Sequence, residues 1–169
     1  MKTILRLKDN EYPFTYIDHH RKIARAILIN EKGEIALNKI HGFDMFGSRN
    51  YYETPGGGFK KSETSKEALF REIKEETGYK CEIICPLGIV DDYYNLIHRH
   101  NKSFYYLCKV SQYVGKHLDE YEKSMIEKVV WMDIDSAIKK YEEMRKVSPV
   151  ARLVSNRELP ILKKVKEVL

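Results

Sequence analysis

The 169-residue chain is poor in the residues that build small secreted frameworks and low-complexity tracts: 3 cysteines, 5 prolines, 9 glycines and a single tryptophan. Cys81, Cys85 and Cys108 form an odd set without a C-x-x-C pair, so neither a disulfide framework nor a zinc site is indicated. They are expected as small core residues, Cys81 and Cys85 on one face of a strand. No apolar run approaches the roughly 20 residues of a membrane span. Charge breaks Met1-Lys2-Thr3-Ile4-Leu5-Arg6-Leu7 too early for a signal peptide, and a cytoplasmic location is expected. There is no internal repeat and no block of basic residues. The net charge of +5 is scattered, which suits an anionic substrate and gives nucleic acid little support as a partner.

What the chain does have is a globular balance, 43% hydrophobic and 33% charged residues, in a length that fits one domain over residues 1–169. Its most informative stretch is a glycine turn feeding a carboxylate-rich helix. Pro55 and Gly56 open the turn. Thr64-Ser65-Lys66-Glu67 has the form of a capping box, and Gly78 is placed to close the helix. A helical projection puts Leu69, Phe70, Ile73 and Thr77 on one arc and Glu72, Glu75 and Glu76 on the neighbouring arc of roughly 100°. Glu72 and Glu76 are like charges at i,i+4 and repel. Arg71 and Lys74 project from the far side and neutralise the cluster poorly. Oxygen ligands concentrated on a rigid element suit a hard cation such as Mg²⁺, and a glycine turn lets backbone approach the same ion or phosphate.

Gly57, Glu63, Arg71, Glu72, Ile73, Glu75, Glu76 and Gly78 fall at the spacing Gly-x5-Glu-x7-Arg-Glu-U-x-Glu-Glu-x-Gly-U, where U is bulky and apolar. The stretch Gly57 to Tyr79 therefore resembles the Nudix box, with Tyr79 departing from the usual aliphatic residue. The resemblance implies a Nudix-type α/β/α sandwich with a central mixed sheet. It also implies a divalent-metal-dependent pyrophosphohydrolase acting on a nucleoside diphosphate linked to another moiety. Mg²⁺ is the expected ion, with Mn²⁺ as the alternative. Glu72 and Glu76 are then the principal metal ligands, Glu75 a further or water-mediated ligand, and the Gly56 carbonyl an additional donor. Arg71 and Glu63 would orient the glutamates, with Gly57 as support. The base is either Glu72 or a loop carboxylate near Trp131. Glu120, Glu122 and Glu127 compete for that place, and Glu127 is favoured. A homodimer is allowed by the same resemblance. Two other classes compete, a nucleotide-binding regulatory module and an isopentenyl-diphosphate-type isomerase. Retention of every box glutamate disfavours the first, and cysteines confined to apolar strands disfavour the second.

The rest of the chain reads as strands and helices around the box. Residues 1–20 are an irregular or edge-strand lead-in. Lys22 to Ile29 and Ile35 to Ile40 form two strands joined by a turn at 30–34. A loop at 41–50 leads to a short strand at 51–54. Strands follow at 81–90, bent at Pro86 or Gly88, and at 103–110, with a loop at 91–102 between them. A polar loop at 117–124, a strand at 128–132, a helix at 136–145 and a last helix at 159–169 complete the order. The substrate is expected to be a nucleoside triphosphate or similar small nucleotide. Arg25 either points outward from the sheet or reaches into a cleft. Phe46 and Tyr94 could meet a base, and Arg49 and Arg99 a phosphate.

Overall fold

Runs of apolar residues too long for simple alternation become the central strands of one mixed sheet, buried on both faces. The computed structural model describes residues Met1–Leu169. Ten strands form: β1 (Thr3–Leu7), β2 (His19–Ile29), β3 (Ile35–Ile40), β4 (Phe43–Asp44), β5 (Gly47–Ser48), β6 (Tyr51–Glu53), β7 (Gly56–Gly58), β8 (Tyr79–Tyr94), β9 (Arg99–Tyr113) and β10 (Ile126–Met132). Four α-helices accompany them: α1 (Ser65–Thr77), α2 (Glu120–Met125), α3 (Ile134–Met144) and α4 (Pro149–Lys166). The main sheet runs β1-β8-β9-β2-β3-β10, with β6 against β3 and β7 against β2, while β4 and β5 pair apart from it. β2 and β9 are parallel, as are β1 and β8.

Helices cover both faces, as an α/β/α sandwich requires. On one face Ala24, Ala26, Ala36 and Ala68 keep side chains short, so α1 seats Leu69 and Ile73 close to the strands. On the other, α3 and α4 close over Ile27, Ile29, Leu37, Tyr105 and Leu107. No helix is long and apolar enough to cross a membrane.

The edge-strand alternative for the lead-in holds at its start, where β1 adds a parallel edge strand to β8. Four expectations need correction. The stretch 91–102 is mostly ladder: β8 runs to Tyr94 and β9 begins at Arg99. Only a 3₁₀ turn intervenes, pinned by Asn95 to the side chain of Asp9 and the backbone of Tyr12. The stretch 117–124 contains α2, nucleated by an Asp119 capping box in which Glu122 answers back to the Asp119 N–H. The last helix starts ten residues before position 159, because Ser148 caps it and Pro149 fits its first turn, and it ends at Lys166. Cys81 and Cys85 pack on opposite faces, since the β8–β9 register slips between Ile83 and Cys85.

Candidate functional site

The box turn is β7, laid antiparallel on β2 so that Gly57 opposes Ala24 and Gly56 opposes Arg25. Its glycines are dictated by close approach. A Cβ on Gly57 would sit 2.5 Å from the Glu72 carboxylate, and one on Gly58 would sit 2.6 Å from the Arg21 guanidinium. The turn hands over to α1, where Thr64 and Glu67 make both halves of the capping box and Gly78 takes the left-handed conformation at the other end. The helix is thereby fixed at both ends.

Arg71 gathers the carboxylates. The expectation that it faces away and neutralises the cluster poorly is corrected: Arg71 stands one turn before Glu75, at the edge of the acidic arc, and its guanidinium reaches across it. Nε and Nη2 donate to Glu63 (2.6 and 2.8 Å), Nη1 to Glu72 (2.7 Å) and Glu75 (3.0 Å), and Nη2 also to the Gly58 carbonyl (3.0 Å). The bidentate bond to Arg71 holds the Glu63 carboxyl at about 2. Glu76 is buried and accepts from the Gly56 N–H and the Asn38 amide, both at 2.8 Å. Burial first, and then the charge of Glu72, push its carboxyl up to about 8. Burial likewise raises Glu72 against the pull of Arg71, with Glu122 and Glu75 adding repulsion.

Glu122 comes from α2. One acceptor oxygen each from Glu72, Glu75 and Glu122 lies within 4.8 Å of the others. The donor set is all oxygen, it is anionic, and the bare Gly57 backbone lets the Glu72 carboxylate lie directly against the turn. These residues fit a hard divalent cation. They open onto a cleft of about 710 Å³ whose lining includes Arg21, Arg25, Phe46, Arg49, Tyr94, Arg99 and Arg157.

Glu127 does not join them. It falls where the β10–β3 register slips between Ile126 and Lys128, is directed outward, lies 3.9 Å from Lys128, and lines no part of the cleft. Glu120 is almost fully exposed and pairs with Lys123. Of the three loop carboxylates weighed for this place, Glu122 is the one that reaches the box.

Among the expected pocket residues, Arg25 lines the cleft but its charge is already matched. It donates to the Thr54 carbonyl (2.8 Å) and to Glu53 (2.5 Å) and lies 3.7 Å from Glu158. Phe46 is buried, with its ring edge-on to Tyr94 at 6.2 Å, so it walls the cleft. Arg49 lies 5.1 Å from the Phe46 ring centre and pairs with Asp44 and the Tyr51 hydroxyl. The Tyr94 hydroxyl accepts from Arg157 (2.8 Å). Arg99 lies against the Tyr94 ring at 5.8 Å.

Sequence reasoning missed the floor of this cleft. Arg157 donates to Tyr94, Tyr105 (3.1 Å), Glu53 (2.6 Å) and Glu158 (2.8 Å). Glu158, with no exposed surface, also accepts from the Thr54 N–H and the hydroxyls of Thr54, Tyr105 and Tyr141. The available signal was an adjacent Arg157–Glu158 pair running straight into the apolar stretch Leu159 to Leu162, a placement that demands partners.

The model of the NUDIX domain family matches residues 19–151. Among curated proteins, the RNA pyrophosphohydrolase of Marinomonas sp. is 40% identical over 70 residues, which is 40% of this chain and 40% of that protein. Putative nudix hydrolase 1 of Caenorhabditis elegans is 31% identical over 72 residues, 43% of this chain and 20% of that one. The chain thus matches less than half the length of these relatives. Solved structures agree in fold: a NUDIX hydrolase from Nitrosomonas europaea (TM-score 0.60, 20% identity, 72% of this chain and 78% of that one) and a MutT protein from Methanosarcina mazei (TM-score 0.58, 20% identity, 74% and 85%). With the family model spanning most of the chain and the box assembled on its turn and helix, this protein belongs to the Nudix family.

Proposed function

We propose that the chain hydrolyses a phosphoanhydride bond in a nucleoside diphosphate linked to a further group, with Mg²⁺ or Mn²⁺ held at the box. The observation that carries this reading is the Glu72, Glu75 and Glu122 cluster facing a cleft with an arginine-rich wall. Glu72 and Glu75 would hold the ion, with Glu76 and the Gly56 carbonyl as further donors. The Gly56 N–H bond to Glu76 keeps that peptide beside it. A divalent cation there neutralises phosphate oxygens and makes water easier to deprotonate.

The chain's own residues do the rest. Arg71 fixes the directions of Glu72 and Glu75, and Glu63 fixes Arg71. Glu122 is the candidate base. Its Oε2 is engaged by the Asp119 N–H, which leaves Oε1 to take a proton from a water at the cluster. The substrate range runs from nucleoside triphosphates to longer molecules with the same end. Relatives named RNA pyrophosphohydrolase support including RNA in that range.

The test is a nucleotide panel assayed for phosphate or pyrophosphate release with Mg²⁺ and with Mn²⁺. The wild type releases product, and Glu72→Gln abolishes turnover while circular dichroism and melting stay close to wild type. Full activity of Glu72→Gln removes Glu72 from the mechanism. No release from any nucleotide favours a module that only binds.

A further inference from the structure

The cleft charges are not evenly matched. Arg25 and Arg157 share Glu53 and Glu158, Arg49 has Asp44, and Arg71 has Glu63, Glu72 and Glu75. Arg21 and Arg99 have no carboxylate partner. Asp92 acts on Arg99 only at a distance and lies 3.8 Å from Arg157. Arg99 is half-buried and its Nε has no acceptor. Burial first, and the like charge of Arg21 next, hold its guanidinium below the ordinary value. Leaving such a charge in place is unfavourable unless an anion joins it.

A second unpartnered group lies beside it, an acceptor that would meet a substrate N–H or O–H rather than a phosphoryl oxygen. Asn101 lines the cleft at 1% exposure, and its Oδ1 has no hydrogen-bond partner. In the parallel β2–β9 register Asn101 sits opposite Arg21, and alternation along β9 turns Arg99 and Asn101 to the same face. Arg21 in turn lies against Gly58. A path therefore leads from the box glutamates over the glycine turn to Arg21 and on to Arg99.

We propose that Arg99, with Arg21, holds a second phosphoryl group of the substrate, one step beyond the anhydride that the box glutamates serve. This deepens the hydrolase reading and rests on it. The site selects nucleotides that are longer or more highly phosphorylated than a bare diphosphate. The second phosphoryl group is either the terminal phosphate of a triphosphate or the first internucleotide phosphodiester of a 5′-triphosphorylated chain.

Inorganic tripolyphosphate is titrated calorimetrically into the full chain in EDTA, a measurement that needs neither metal nor turnover. Arg99→Gln weakens binding about ten- to a hundredfold, the range of a lost charge-assisted contact, and Arg99→Lys restores part of it. Binding by Arg99→Gln within about twofold of wild type overturns the proposal. In Mg²⁺ kinetics, a raised KM for nucleoside triphosphates and a 5′-triphosphorylated dinucleotide alike assigns the terminal phosphate. A raised KM for the dinucleotide alone assigns the phosphodiester, and no change for either overturns the site. Arg99→Gln without ligand melts no lower than wild type, because it gives up only the contact with the Tyr94 ring and removes a half-buried charge that no carboxylate matches; a clearly lower melting point marks Arg99 as structural. Failure of the hydrolase reading shows instead as no product release from any nucleotide by the wild type, with the EDTA titration untouched.

Discussion

At the scale of single residues, the decisive contrast is between Glu122 and Glu127, two carboxylates five positions apart on either side of the α2–β10 junction. Glu122 meets the box cluster, whereas a ladder irregularity turns Glu127 outward beside Lys128. Glu122→Gln is expected to lower kcat about 10²- to 10⁴-fold, the range for loss of a positioned base. Glu127→Gln is expected to leave kcat within about twofold of wild type, as a surface charge should. Steady-state kinetics on both variants check this, and equal losses would return the base to an open question. The glutamates of the box were legible from spacing because a helix converts spacing directly into a shared face. The loop carboxylate was not, because a one-residue slip in a strand register decides which way a side chain points, and no local pattern announces it.

At the scale of elements, the box helix was readable end to end, since Thr64, Glu67 and Gly78 are signals with local mechanisms. Helix α4 was read only in part. Its interior holds Pro160, which lacks an N–H and marks a helix start in an isolated sequence. Here the helix continues through it because Val154, Ile161, Leu162 and Val165 bury one side while Ser155, Arg157 and Glu158 are satisfied by tertiary partners. Pro160 itself is exposed. Pro160→Ala is therefore expected to stabilise the protein by about 1–2 kcal/mol, the interior-proline cost less the entropy that proline removes from the unfolded chain. A rise of about 2–8 °C in melting temperature checks it; a fall would show that α4 needs the proline ring.

At the scale of the whole molecule, the two faces of the sheet are held differently. The α1 face is closed by small apolar residues, while the α4 face carries a buried charged network. Within that network, burial acts to raise the Glu53 carboxyl, and Arg25 and Arg157 overcome it to hold the group at about 2. Because that value is depressed, the stabilisation is complete above the ordinary carboxylate range and is lost as pH falls through it toward 2. The contribution is of order 3 kcal/mol. Urea titrations between pH 6 and 2 are expected to show stability falling across that window, and Glu53→Gln to show a shallower decline. An identical slope in the variant would assign the acid sensitivity to other carboxylates.

The parallel pairing of β2 with β9 also bears on how the molecule comes together. It joins His20 to His100 and Arg21 to Asn101, positions 80 residues apart in the chain. Closing a loop of that length costs about 4 kcal/mol of chain entropy before any contact offsets it. The glycine turn and α1 can form from neighbours, whereas the arginine end of the cleft exists only after that distant pairing is made. The box turn and helix can therefore take shape early in folding, while the cleft as a whole closes late.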